Sequence, residues 1–96
     1  MTVYVDDMRA RLGRMVMCHM LADSTAELLS MADLIGVDRR WLQKAGTPHE
    51  HFDIALSKRA AAVAAGAREV TMAEVGEMLI ARRALRPTAP RPDAVG

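Results

Sequence analysis

The chain is poor in the residues that usually anchor or staple a small fold. Its aromatics are Tyr4, Trp41 and Phe52, three side chains in 96 residues. Its single cysteine, Cys18, excludes an internal disulfide, so the fold needs no oxidising compartment. Long apolar runs are also missing. The longest gap-free stretch, Ala60 to Ala67, is mostly alanine, and a membrane-spanning helix needs roughly 20 apolar residues. Asp6 and Asp7 stand near the start, where a secretory leader would carry its apolar core. These absences predict a cytoplasmic protein with no membrane partner. An excess of one charge is missing too. Thirteen basic against twelve acidic residues leave a net charge of +1, which argues against a nucleic-acid partner, since such proteins carry a basic excess. No G-x-G-x-x-G, Walker loop, paired C-x-x-C, H-E-x-x-H or internal repeat occurs.

What is present suffices for one core. Hydrophobic residues make up 51% of the chain, and a domain of this size buries about two thirds of its unfolded surface. Eight methionines and many alanines fill the space that aromatics leave. Val3-Tyr4-Val5 is β-prone and stops at Asp6-Asp7. Met8 to Leu21 fits either a helix face or, beyond a loop at Gly13, a buried strand through Met15-Val16-Met17-Cys18; Gly13 favours the strand. Ser24-Thr25-Ala26-Glu27 has the form of a capping box. It opens a helix with Leu28, Met31, Ala32 and Ile35 on one face, stopped at Gly36. Val37 to Gln43 reads as a strand anchored by Trp41. Thr47-Pro48-His49-Glu50 has helix-start chemistry; the rival is a loop through His51 to Ile54 and a helix capped by Ser57. Arg68-Glu69-Val70 is a brief strand, and Thr71 to Glu74 is a second capping box opening a helix to about Leu85. The expected fold is α/β: a mainly parallel sheet of about four strands covered by about three helices. It occupies residues 1–85 as a single domain, with 86–96 a disordered Pro-rich tail.

Several phrases look like one family: Val3-Tyr4-Val5-Asp6-Asp7-Met8-Arg9, His19-Met20-Leu21-Ala22-Asp23, His51-Phe52-Asp53, and Arg59 with Gly66-Ala67. The chain resembles the domain of unknown function 4031 family, short proteins of bacteria and phages, over about residues 3 to 85. Asp6, His19, Asp23, Glu27, His51, Asp53 and Arg59 match its pattern. Cys18 replaces a serine, Phe52 a tyrosine, and Leu29 stands where the family often has a histidine. The resemblance implies a phage or actinobacterial origin and no particular activity.

Three constellations carry chemistry. Asp6, His19, Asp23, His51 and Asp53 together suit Zn²⁺, Mn²⁺ or Fe²⁺, with Asp6, His19 and Asp23 then serving as catalytic groups. In an extended segment His51 and Asp53 share a side; in a helical one His49 and Asp53 do. A metal there would activate water against a phosphoester. Read structurally instead, Asp23 caps a helix, His19 is a satisfied buried histidine and Asp53 is a turn residue. Second, Ser57-Lys58-Arg59 at a helix start, with His51, Arg14, Arg39 and Arg40, would make a phosphate or nucleotide pocket; otherwise Arg59 pairs with Asp53 or Asp6. Third, Arg39 to Lys44 around Trp41 would suit nucleic acid by charge and stacking, or else Trp41 is a core anchor. Adjacent strand residues point to opposite faces, so Cys18 does not pair with His19 and reads as inert. The alanine-rich helix from Ala60 to Ala65 reads as core packing, or as a homodimer seam. The leading expectation is a small protein binding a phosphorylated ligand or nucleotide through a His/Asp/Arg pocket. The alternatives are a divalent-metal-dependent phosphoester hydrolase, and a non-catalytic homo-oligomeric or host-protein interaction module.

Overall fold

A computed structural model describes residues 2–85. The tail proposed for residues 86–96 lies outside the described residues. The chain starts with β1 (Val3–Val5), β2 (Ala10–Leu12) and β3 (Met15–Ala22). Gly13 and Arg14 form the two-residue turn between β2 and β3. Gly13 sits at φ +60, the left-handed first turn position that makes a Gly-X pair a hairpin signal. The turn lays β2 antiparallel to β3 with Leu12 opposite Met15, and β1 continues the arm with Val5 opposite Met20 and Val3 opposite Ala22.

Helix α1 (Thr25–Ile35) follows the expected chemistry. The Glu27 amide donates to Ser24 Oγ (3.2 Å), and Ser24 Oγ donates back to Glu27 Oε1 (2.9 Å). Gly36 closes the helix at φ +78. Leu28, Met31, Ala32 and Ile35 are its buried face. The next segment departs from expectation. Val37 to Gln43 is no strand: Asp38 accepts from the Arg40 amide (2.9 Å) and starts a single 3-10 turn, Arg39–Trp41. Trp41 is no anchor either, being 59% exposed with the Arg40 guanidinium over its ring. Gln43 instead bridges to His51 across a turn, and the helix proposed from Thr47 does not form. Beyond the turn come β4 (Phe52–Ala55), α2 (Leu56–Ala64), β5 (Arg68–Glu69) and α3 (Met72–Leu85). Ser57 does not cap α2; its N-cap is Ala55, directly off the strand, with no side-chain cap bond. Thr71 and Glu74 make the expected reciprocal box at α3, with each backbone amide donating to the other's side chain (3.1 Å each).

The mainly parallel sheet expected from the element order is not what forms. The sheet has five strands and is mixed, mostly antiparallel, with β1 parallel only to β5. Two local reversals cause this. The Gly13 hairpin joins β2 to β3 directly. The Gln43–His51 turn then flips the chain after α1, so that β4 returns antiparallel to β3. β3 is central. Met20 pairs with both Val5 and Phe52, and Met17 with both Ala10 and Ala55; a strand residue has one lateral neighbour per side, so β1 and β2 share one edge of β3 and β4 takes the other.

Alternation then divides the side chains. Val3, Val5, Cys18, Met20, Ala22, Phe52 and Ile54 form one face and pack with the buried faces of α1 and α2. Each large side chain buried there contributes roughly 1.5–3 kcal/mol. Tyr4, His19, Leu21 and Asp53 are left on the opposite face, and α3 lies on that side.

Candidate metal centre

The site grows from register. His19 in β3 stands directly opposite Asp53 in β4, and cross-strand partners on one face sit close enough to touch. His51 is two residues before Asp53 in the same extended segment, so it shares that face. Its ring meets the His19 ring edge-on, centroids 5.2 Å apart. One nitrogen from each of His19 and His51 and one carboxylate oxygen of Asp53 lie within 4.8 Å of one another.

Hydrogen bonding orients all three groups. His19 Nδ1 donates to Asp6 Oδ2 (2.6 Å). His51 Nδ1 donates to the His49 carbonyl oxygen (2.7 Å). A carbonyl only accepts, so Nδ1 of His51 carries the proton and Nε2 is left with its lone pair; the Asp6 carboxylate sets the same tautomer at His19. Gln43 Nε2 holds Asp53 Oδ2 (2.7 Å). The other oxygen, Asp53 Oδ1, is buried and without a hydrogen-bond partner. It lies 3.5 Å from His51 Nε2 and 3.8 Å from His19 Nε2. Three electron-pair donors thus face one point with no donor hydrogen between them.

Such a set fits a divalent ion. Ligand bonds of roughly 2.0–2.2 Å would put the three atoms about 3–3.5 Å apart, so closing around an ion asks for movements of an ångström or less. Two imidazoles and one carboxylate suit Zn²⁺, Mn²⁺ or Fe²⁺ and leave further positions open.

Asp6 backs the site rather than joining it. It is fully buried, at the break between β1 and β2. Its Oδ1 accepts from the backbone amides of Met8 (3.2 Å) and His19 (2.9 Å). Both of its oxygens are therefore occupied, and it performs the orienting task that a carboxylate behind a metal-binding histidine performs. Asp23 is elsewhere. It ties the chain start to the end of β3, accepting from the Thr2 amide and the Tyr4 hydroxyl (2.9 Å each).

The expected cationic helix start does not converge on this site. Lys58 Nζ donates to the Ile35 carbonyl at the end of α1 (2.9 Å). Arg59 Nε donates to the Asp6 carbonyl (2.9 Å) and its guanidinium pairs with Glu69 (2.8 Å). Arg14 is exposed at the hairpin turn. Cys18 faces the core, where burial first and then the nearby Asp6 charge push its thiol up to about 11. It is not a nucleophile at neutral pH.

The centre opens on a cavity of about 720 Å³ between sheet and α3. His19 and His51 lie in its wall, with Leu21, Val75 and Leu79 as apolar lining and Lys44, His49 and Arg83 as polar lining. Reading the sequence placed Gln43 and Lys44 in the Arg39 to Lys44 segment read for nucleic acid, and missed Arg83. Arg83 carries no local signal; Lys44, at φ +56, is the non-glycine left-handed residue of the described chain.

Fold and site together define a small mixed α/β protein with three convergent ligand atoms and a buried carboxylate behind one of the two histidines. The chain belongs to the family described as protein of unknown function (DUF4031), whose pattern matches residues 3–82. That span holds every ligand and orienting residue named above. No curated protein and no solved structure matches the chain.

Proposed function

We propose that the protein is a divalent-metal-dependent hydrolase of phosphoesters, with His19, His51 and Asp53 as the metal ligands. The observation that carries this reading is the orphaned, buried Asp53 Oδ1 aimed at two imidazole lone pairs. A buried acceptor without a partner costs about 1–3 kcal/mol, and a bound cation removes that penalty. An ion held by three protein ligands lowers the pKa of a coordinated water to about 7. Held by His19, His51 and Asp53, such an ion would supply an activated water for cleavage of a phosphoester, giving phosphate and the alcohol. Lys44 on the wall favours an anionic substrate, whereas Arg83 is bonded to His49 and the Glu50 carboxylate also lines the cavity.

A metal-free phosphate- or nucleotide-binding role is a second reading supported by that same Lys44. The pocket first expected around Lys58 and Arg59 has less support, because both donors are engaged within the protein. For an interaction module, Ala62 of α2 is buried in this chain's own core, while Ala60, Ala61, Ala64 and Ala65 stay exposed as a small-residue face. Among the described residues no helix is long and apolar enough to cross a membrane. A cytoplasmic setting is supported by the single, core-facing Cys18.

Titration calorimetry with Mn²⁺ and Zn²⁺ tests the proposal. The expected result is one ion per chain, lost in His51→Gln and Asp53→Asn, together with metal-dependent release of phosphate from a phosphoester. No binding by the wild-type chain would overturn it and leave the phosphate-binding reading.

A further inference from the structure

We infer that the substrate is a small phosphate monoester with an apolar body, docked by Lys44 beneath α3, rather than a polynucleotide or other polymer. This rests on the metal-centre reading. Three observations carry it.

The first is the cavity. At about 720 Å³ it falls in the range of roughly 300–1,000 Å³ typical of small-molecule sites. It lies between the sheet face and a helix tethered at both ends. The Met72 amide donates to Asp7 (2.8 Å), Arg82 donates to the Ala22 carbonyl (2.7 Å), and an Arg83 guanidinium nitrogen meets His49 Nε2 (2.8 Å). A small molecule fits under such a cover; a duplex does not.

The second is the division of the wall. Leu21 on the sheet and Val75 and Leu79 on α3 are apolar. Among the described residues of α3 none is buried, so its apolar side chains over the cavity are not consumed by the core. They suit the organic part of an ester, while the metal ligands and Lys44 suit its phosphate.

The third is Lys44 itself. Its backbone is held at φ +56, where a side chain costs free energy that glycine would not. The hold is double: Gln43 before it pairs both ways with His51 (2.9 and 3.1 Å), and the Lys44 carbonyl accepts from the Thr47 amide (3.1 Å) and hydroxyl (2.7 Å). Among the described residues the exposed ammonium has no ion pair and no hydrogen-bond partner, and it borders the cavity. It is therefore free to meet a ligand anion there.

The test uses the Mn²⁺-loaded chain with 4-nitrophenyl phosphate, and a bis(4-nitrophenyl) diester and a single-stranded oligonucleotide as rival substrates. The monoester is expected to turn over at least tenfold faster than either rival. Lys44→Gly is expected to raise KM for the monoester at least tenfold, with a smaller change in kcat, and to weaken inhibition by inorganic phosphate. Its melting temperature should stay level or rise, because glycine relieves the left-handed position. Lys44→Arg should restore KM in part. Leu79→Trp, which fills the cavity, should cut monoester turnover more than tenfold and leave calorimetric Mn²⁺ binding unchanged. Equal or faster cleavage of the oligonucleotide, an unchanged KM in Lys44→Gly, or full turnover in Leu79→Trp would each overturn this inference while Mn²⁺ binding stood. Absence of Mn²⁺ binding in the wild-type chain would overturn the underlying reading instead.

Discussion

Asp53 concentrates the energetic conflict of the molecule. One oxygen is held by Gln43 and the other is buried without a partner. Asp53→Asn preserves the shape and removes the charge. It is expected to weaken Mn²⁺ or Zn²⁺ binding at least about 100-fold, since the orienting residues behind metal ligands are already worth about 10–100-fold. The metal-free melting temperature should change little or rise, as sites built for function are held at a cost in stability. Cys18 makes the opposite kind of prediction. Its thiol is raised from 9.0 to about 11, chiefly by burial. A raised folded value means that the stabilisation is complete below pH 9 and is lost as pH climbs through about 11. Denaturation from pH 8 to 11 should show a steeper loss of stability for the wild-type chain than for Cys18→Ala. A thiol reagent at pH 7 should label Cys18 only when the protein unfolds.

Among elements, the break between β1 and β2 matters most, because it places Asp6 behind His19. Arg59 on α2 clamps this break through the Asp6 carbonyl, and its guanidinium is paired with Glu69 of β5. Arg59→Ala should therefore destabilise the chain by about 1–3 kcal/mol, the usual cost of removing a charged donor from a partly buried acceptor. Chemical denaturation measures this directly. An unchanged stability would mean that the clamp is idle. At the end of α1, Gly36 combines φ +78 with only 3.3 Å between an added Cβ and Lys58 Nζ. Gly36→Ala is expected to cost about 1 kcal/mol, seen as a lower melting temperature. Both helix-start boxes and the Gly36 stop were legible in the sequence, since their partners lie within a few residues. The 3-10 turn at Arg39–Trp41 was not. Its signal was Asp38, whose side chain turns the chain back on itself, and the neighbouring Trp41 suggested burial that does not occur.

At the scale of the whole molecule, the two sheet faces divide the labour. One is sealed by α1 and α2; the other carries the ligand atoms beneath α3. Binding of an ion to the folded state alone should raise stability by about 2.7 kcal/mol at a concentration 100-fold above Kd. For a domain of this size that is a rise in melting temperature of about 10 °C or more. The rise should be absent in Asp53→Asn, and thermal melts with and without Mn²⁺ decide it. A similar rise in both proteins would place the ion elsewhere.

The sequence by itself determined the two boxed helix starts at Ser24 and Thr71, where the Val3 to Val5 strand lies, and that His51 and Asp53 share a side if extended. It did so because steric preference, capping and alternation act over a few residues. Only the tertiary structure decided the strand directions, the pairing of His19 with Asp53, and the diversion of Asp23, Lys58 and Arg59 into structural bonds. Those outcomes depend on turns that reverse the chain and on contacts between distant segments, and a shift of one residue in the β3–β4 pairing would turn His51 and Asp53 to the face opposite His19.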